Sequence, residues 1–271
     1  MAQTNDVLTK CTALKQQIDQ HRPLPKSVVD RLNQDIKVEH VWSSNAIEGN
    51  TLTKYETASI INHGITIDGK SVRETLEAVD LTKSYDYMMD LVSQKQPLTE
   101  TIIRDLNRLV TLNTVKSAEL AGVYRVTEAW PSGFEKEPYC PPFDIRLQMQ
   151  NLIHWSNQQQ NQLHPVIYAA DLHYRFVSIH PFSDGNGRTA RLLMNLALTQ
   201  AGYPVVNLQP DQASRSKYIE TLANARREQD PTNFETLISQ NVLSTLQKRL
   251  KVIRLYDQNR LQARQQTNLK H

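Results

Sequence analysis

Apolar residues recur at helical spacing along most of the chain, and turn signals punctuate them. Residues 5–20 and 25–40 read as two amphipathic helices broken at Pro23 and Pro25. A short helix over 38–48 stops at Gly49-Asn50, a helix over 53–63 follows, and a loop through Gly64 and Gly69 leads into one long helix over 71–93. Thr99 opens a helix that runs to Thr111, although Ile102 at the third position does not complete a capping box. Further helices are expected over 144–157, 165–180, 188–201, 212–226 and 231–256. Between Ala121 and Phe143 the character changes. Gly122, Pro131, Gly133, Pro138, Pro141 and Pro142 crowd together, and Val123 to Thr127 alternates, which predicts one β-hairpin with an aromatic-rich tip. The expected fold class is therefore mostly α with a single hairpin over 122–142. Its parts would be an N-terminal helical extension (1–34), a core (35–240) and a C-terminal helix or tail (241–271).

Composition narrows the class of protein. The 271 residues are 39% hydrophobic and 22% charged, as in a folded domain, and eight glycines favour helix over a turn-rich β protein. No apolar run approaches the roughly 18–20 residues that span a bilayer, so no membrane partner is expected. The start, MAQTNDVLTK, lacks a basic region followed by an apolar one. Cys11 and Cys140 form neither a disulfide framework nor a metal-ligand spacing, so a cytoplasmic setting is expected. The net charge is only +3, yet residues 248–271 carry +6. Leu243, Leu246, Leu250 and Ile253 form a short apolar stripe there. A helix packed on the body, with a solvated basic face that frays towards Gln265, accounts for the charge, and nucleic acid is not expected as a partner.

One segment concentrates chemistry: His180-Pro181-Phe182-Ser183-Asp184-Gly185-Asn186-Gly187-Arg188-Thr189-Ala190-Arg191. Pro181 disfavours a helical His180, so the preceding helix should end there and present the imidazole at a loop edge. Gly185-Asn186-Gly187 can take positive φ cheaply and turn backbone N–H groups into one concavity. The helix that follows adds its own unpaired N–H groups, and such a place binds phosphate. Arg188 and Arg191 share one face of the first turn, where cations are disfavoured unless an anion compensates. Asp184 is a hard oxygen ligand suited to Mg²⁺ between phosphates. His180 alone titrates near neutrality and is the candidate general base.

This segment resembles the signature of the Fic family, HPFx(D/E)GNGRxxR, at every specified position, and the resemblance covers roughly residues 35–240. It implies a Fic-type helical domain with a β-hairpin flap beside the site. It also implies transfer of AMP from ATP to a Ser, Thr or Tyr hydroxyl of a protein target, with release of pyrophosphate. His180 would then deprotonate the hydroxyl, and Phe182 would anchor the loop. Asp184 would hold Mg²⁺, and Ser183, Gly185, Asn186 and Gly187 would line the nucleotide's phosphates. Arg188 and Arg191 would neutralise the leaving group. Gly187 is similar to the AMP-transferring branch rather than the phosphorylating one, which carries Lys there. Lys136, Glu137, Pro138 and Tyr139 occupy flap positions that would align the target chain. Tyr218 and Ile219 resemble the purine-binding positions. Where some relatives place Asn one or two turns on, this chain has Arg226.

Upstream, Ser44-Asn45-Ala46-Ile47-Glu48-Gly49 is similar to the family's same-chain inhibitory motif, (S/T)xxxE(G/N). Ser44 and Glu48 are four apart on one helix face. A carboxylate in a last turn and an arginine in a first turn are each mismatched to the helix dipole, and pairing Glu48 with Arg191 removes both mismatches. The expected function is an autoinhibited protein adenylyltransferase. The same residues also suit removal of AMP, with Glu48 orienting water and His180 donating a proton. A non-enzymatic nucleotide sensor or DNA-associated regulator has only the basic C-terminal segment in its favour. Self-modification and a homodimer are compatible with the family.

Overall fold

The computed structural model describes residues 2–21, 23, 25–131 and 137–268. Ten α-helices run through them: α1 (Ala2–Gln20), α2 (Lys26–Ile47), α3 (Lys54–His63), α4 (Val72–Ser93), α5 (Glu100–Thr111), α6 (Ile145–Gln159), α7 (Pro165–Ile179), α8 (Asn186–Gln200), α9 (Gln212–Glu228) and α10 (Thr232–Asn268). α8 is the central element. Nearly every residue from Asn186 to Leu198 is buried, so the helix has no solvent face and must be wrapped by others. α7, α4, α5 and α2 supply that wrapping. Leu192, Leu193 and Met194 are fully enclosed, and each such side chain contributes about 1.5–3 kcal/mol through burial.

Local signals place the helix ends. Thr53 with Glu56, and Ser71 with Glu74, form complete capping boxes at the starts of α3 and α4. At α5, Thr99 accepts from the Ile102 N–H without a reciprocal partner. Glu74 also accepts from the Thr51 N–H (2.8 Å) and hydroxyl (2.6 Å), and these bonds, with those from Ser71, pull its carboxyl down to about 2. Asn50 donates to the Glu74 carbonyl and to Glu77 Oε2, so the turn after α2 is tied to α4.

Four expectations need correcting. The helices read over 25–40 and 38–48 are one helix, because nothing between Val38 and Val41 lacks an N–H and His40 and Val41 continue its buried face. α8 begins at Asn186 rather than 188, since Gly185 (φ 75°) is its N-cap and Gly187 lies inside its first turn. α10 continues to Asn268, with Leu246, Leu250 and Ile253 buried and α1 packed along it. The residue 34 and 240 boundaries thus fall inside α2 and α10.

The fourth is the hairpin, which the described residues do not form. Among the described residues its two arms share one backbone bond, Tyr139 N–H to Ala129 O (2.9 Å), and the bridge that does form pairs Tyr124 with Phe182. Four prolines in the segment lack ladder donors, and the Arg125 side chain takes the Thr127 and Cys140 carbonyls that a neighbouring strand would use. No described helix is long and apolar enough to cross a membrane.

Candidate active site

The signature loop is held from several sides. α7 ends at His180, as the following proline led one to expect, and the backbone there is left-handed (φ 53°, ψ 57°). Phe182 is buried against Tyr124 and Phe176. Asn186 clasps it: the Phe182 N–H donates to Asn186 Oδ1 (3.0 Å) and Asn186 Nδ2 donates to the Phe182 carbonyl (2.7 Å). The Asn186 side chain is thus spent on the loop, and only its backbone faces the turn. A Cβ on Gly185 would lie 2.6 Å from Thr111 Cγ2, so α5 touches the turn directly. Asn107, buried on α5, donates to the Asp184 carbonyl at 2.9 Å. Gly187 has ordinary helical φ, and its missing Cβ leaves room for another group: a Cβ there would meet Glu48 Oε1.

Glu48 therefore lies over the first turn of α8. Buried Arg191 donates from Nη2 to Glu48 Oε1 (2.7 Å) and to the Ser44 carbonyl (2.8 Å), and from Nε to Ser44 Oγ (2.8 Å). Burial alone would push the Glu48 carboxyl upward, but Arg191 outweighs it and holds the group below its ordinary range. The end of α2 is fastened again where Arg215 Nε donates to the Ile47 carbonyl (2.6 Å).

Arg188 has a different environment. It is 3% exposed, and among the described residues its hydrogen bond runs from Nη2 to Asp184 Oδ1 (3.1 Å). Its Nε and Nη1 are buried without an acceptor. Unmatched buried donors cost about 1–3 kcal/mol each, more on a charged group. Asp184 Oδ1 also accepts from the Gly185 N–H, and Oδ2 accepts from Arg73, an exposed α4 residue that pairs with Glu77.

His180 is covered. The Tyr139 ring stacks on the imidazole with centroids 3.9 Å apart, and the Arg226 guanidinium lies 4.3 Å from the Tyr139 centroid. Arg226 and Arg227 hold the neighbouring Glu137 through its carbonyl (2.7 Å) and carboxylate (3.0 Å). Burial first, then the nearby Arg125, lowers the His180 pKa to about 4, against the opposing pull of Glu48. The imidazole is neutral at pH 7.

The remaining expected residues are placed as follows. Tyr218 is buried, with its hydroxyl 3.4 Å from Arg191 Nη1 and 2.9 Å from His173 Nε2. Ile219 is half-buried beside it, Ser183 is exposed, and Pro138 is exposed next to Tyr139. Lys136 lies outside the described residues. Sequence patterns did not single out Arg73, Asn107, Arg215 or the contacts of Arg125. Each acts on a group tens of residues away, and no local spacing carries such a signal.

Comparison with known proteins places this geometry in a family. Residues 97–198 match the model described as the Fic/DOC family. Residues 97–198 thus carry a Fic domain. It is 40% identical over 197 residues to Protein adenylyltransferase Fic of Drosophila grimshawi, covering 72% of this chain and 39% of that protein. For the Drosophila mojavensis relative of the same description the figures are 39% over 201 residues, 73% and 39%. The chain thus spans about two fifths of the length of these curated relatives. Among solved structures it resembles Fic-1 from C. elegans (TM-score 0.84, 27% identity, 94% of this chain and 74% of that one). It also resembles a Fic domain containing signaling protein from Bacteroides thetaiotaomicron (TM-score 0.79, 28% identity, 93% and 98%).

Proposed function

We propose that this chain transfers AMP from ATP to a hydroxyl side chain of a protein, releasing pyrophosphate, and that Glu48 restrains it by occupying Arg191. The observation that carries the proposal is Arg188, a buried guanidinium with two unmatched donors beside the start of α8. A polyphosphate is the ligand that satisfies such donors together with helix N-terminal N–H groups. The similarity to adenylyltransferases over most of this chain supports ATP as its source.

In this mechanism the first-turn N–H groups of α8 and Arg188 bind the phosphates. Arg191, once released from Glu48, stabilises the charge that develops on the leaving pyrophosphate. Neutral His180 accepts the proton of the attacking hydroxyl. Tyr139 has to move off the imidazole first, and residues 137–139 then border the path of the incoming target segment. Asp184 fits a magnesium ion: it is a partly exposed carboxylate at the turn, and one of its partners, Arg73, is exposed and free to swing away. Mg²⁺ needs one or two carboxylates plus phosphate oxygens rather than a protein cage. Bound there, the ion would neutralise phosphate charge.

The test is incubation with α-labelled ATP and magnesium, alone and with candidate proteins, comparing wild type, Glu48→Gly and Glu48→Gly/His180→Ala. Addition of one AMP by Glu48→Gly, lost in the double variant, is expected; the same mass readout registers modification of the chain itself. Transfer that persists without His180 would overturn the assignment.

A further inference from the structure

Arg125 lies outside the signature, yet its side chain meets more of the site's backbone than any group described above. It is 5% exposed. Nε donates to the His180 carbonyl (2.8 Å), Nη2 to the Ile179 carbonyl (3.4 Å) and to the Cys140 carbonyl, and Nη1 to the Thr127 carbonyl (2.7 Å). Its own N–H donates to the Pro181 carbonyl (2.9 Å). Among the described residues no carboxylate is bonded to it; backbone carbonyls take its donors.

Two of those carbonyls are the last of α7. A cation at a helix C-terminus is favourably placed, and a guanidinium fork can serve two carbonyls at once where a lysine cannot. The other two belong to the two arms of the covering segment, 125–131 and 137–140, which have no strand ladder among their described residues. His180 has a left-handed backbone, uncommon for a non-glycine residue, and Arg125 bonds on both sides of it.

We infer that Arg125 is the positioning residue of this site, a clamp that fixes the His180 backbone and both arms of the covering segment in a single contact set. The inference rests on the proposal that His180 is the base, and it deepens that proposal. The clamp makes imidazole and cover one body at their root, so Tyr139 can lift while Thr127 and Cys140 stay registered against His180. It also places a positive charge beside the imidazole. The other groups that face His180 are Glu48 from α2, Arg226 from α9 and Tyr139 from the cover.

The experiment uses Arg125→Met and Arg125→Lys in the Glu48→Gly chain. Three quantities are read: affinity for a fluorescent ATP analogue, kcat and KM for AMP transfer, and the titration of the His180 imidazole by NMR of histidine-labelled protein, assigned with His180→Ala. Nucleotide affinity is expected to stay within about threefold, because Arg125 does not reach the α8 turn. A displacement of the reacting base of about 1 Å costs on the order of 100-fold, so kcat is expected to fall by about that factor in Arg125→Met. Arg125→Lys keeps the charge without the fork: its His180 titration stays low while kcat still falls. In Arg125→Met the titration moves up towards the ordinary histidine range. Unchanged kcat in folded Arg125→Met, or full rescue by lysine, overturns the clamp. If the Glu48→Gly parent transfers no AMP, the functional proposal fails. The imidazole titration, which needs no turnover, then still decides on Arg125. If Arg125→Met does not fold, Arg125→Lys alone carries the test.

Discussion

Replacing Glu48 separates the two ways in which it can obstruct the site. Glu48→Gln keeps the bulk over Gly187 and removes the charge, whereas Glu48→Ala removes both. The bond to Arg191 is a charge-assisted contact of 2.7 Å, but the Glu48 side chain remains 42% exposed, so water screens the pair heavily. Fully exposed pairs contribute about 0–1 kcal/mol, and hydrogen bonds to charged groups about 1.5–3 kcal/mol. A value of about 1–2 kcal/mol lies between them. That corresponds to a roughly 5–30-fold rise in the fraction of molecules with Arg191 free. Arg191 stays in place meanwhile, since Ser44 still accepts two of its donors. Glu48→Gln is therefore expected to raise AMP transfer by about 5–30-fold. Glu48→Ala should raise it further, because the space over Gly187 opens as well. Both should lower Tm by about 2–8 °C. The assay is initial-rate incorporation of α-labelled AMP, with calorimetric ATP affinity beside it. The Glu48 carboxyl is held below its ordinary value near 4.5, so its pairing contributes fully above that pH and is lost only as pH falls through the lower folded value. Inhibition should accordingly be constant between pH 6 and 8. Wild-type rates in both variants, or release of the wild type on raising the pH above 6, would refute the mechanism.

Three other perturbations follow from the same structure. Tyr139→Ala uncovers the imidazole and is expected to move the His180 titration up from about 4, measured by NMR; no movement would mean that Tyr139 does not bury it. Gly185→Ala places a Cβ 2.6 Å from Thr111 Cγ2 at a φ of 75°. It should cost about 1–3 kcal/mol in chemical denaturation, and a neutral result would show that the turn relaxes freely. Asp171 and Glu235 share a buried contact between α7 and α10, and desolvation followed by Asp171 raises Glu235 to about 7. A carboxyl raised on folding binds more protons in the native state, so stability should fall as pH rises from about 4.5 to 7. Glu235→Gln should flatten that slope and raise Tm at pH 8, and an unchanged slope would sink the assignment.

The grouping of the candidate site residues was legible because it is local. His180 to Arg191 fall on one helix end, one turn and one helix start, so their spacing already states what they can reach, and Ser44 and Glu48 share one helical face. The mostly helical class followed from period and punctuation, with α8 buried on every side. Element boundaries were less secure: the unbroken α2 and the true start of α8 depended on how His40, Val41 and Gly185 pack rather than on a local stop signal. The hairpin did not form although residues 123–127 supplied strand propensity, because the Arg125 side chain takes the Thr127 and Cys140 carbonyls and Tyr124 bridges to Phe182 rather than to the second arm. Tertiary structure alone decided that Tyr139 covers His180, that Arg73 meets Asp184, and that Arg215 fastens the end of α2. Sequence spacing encodes neighbours within one element, whereas these contacts join elements whose relative placement is set by burial of the core around α8.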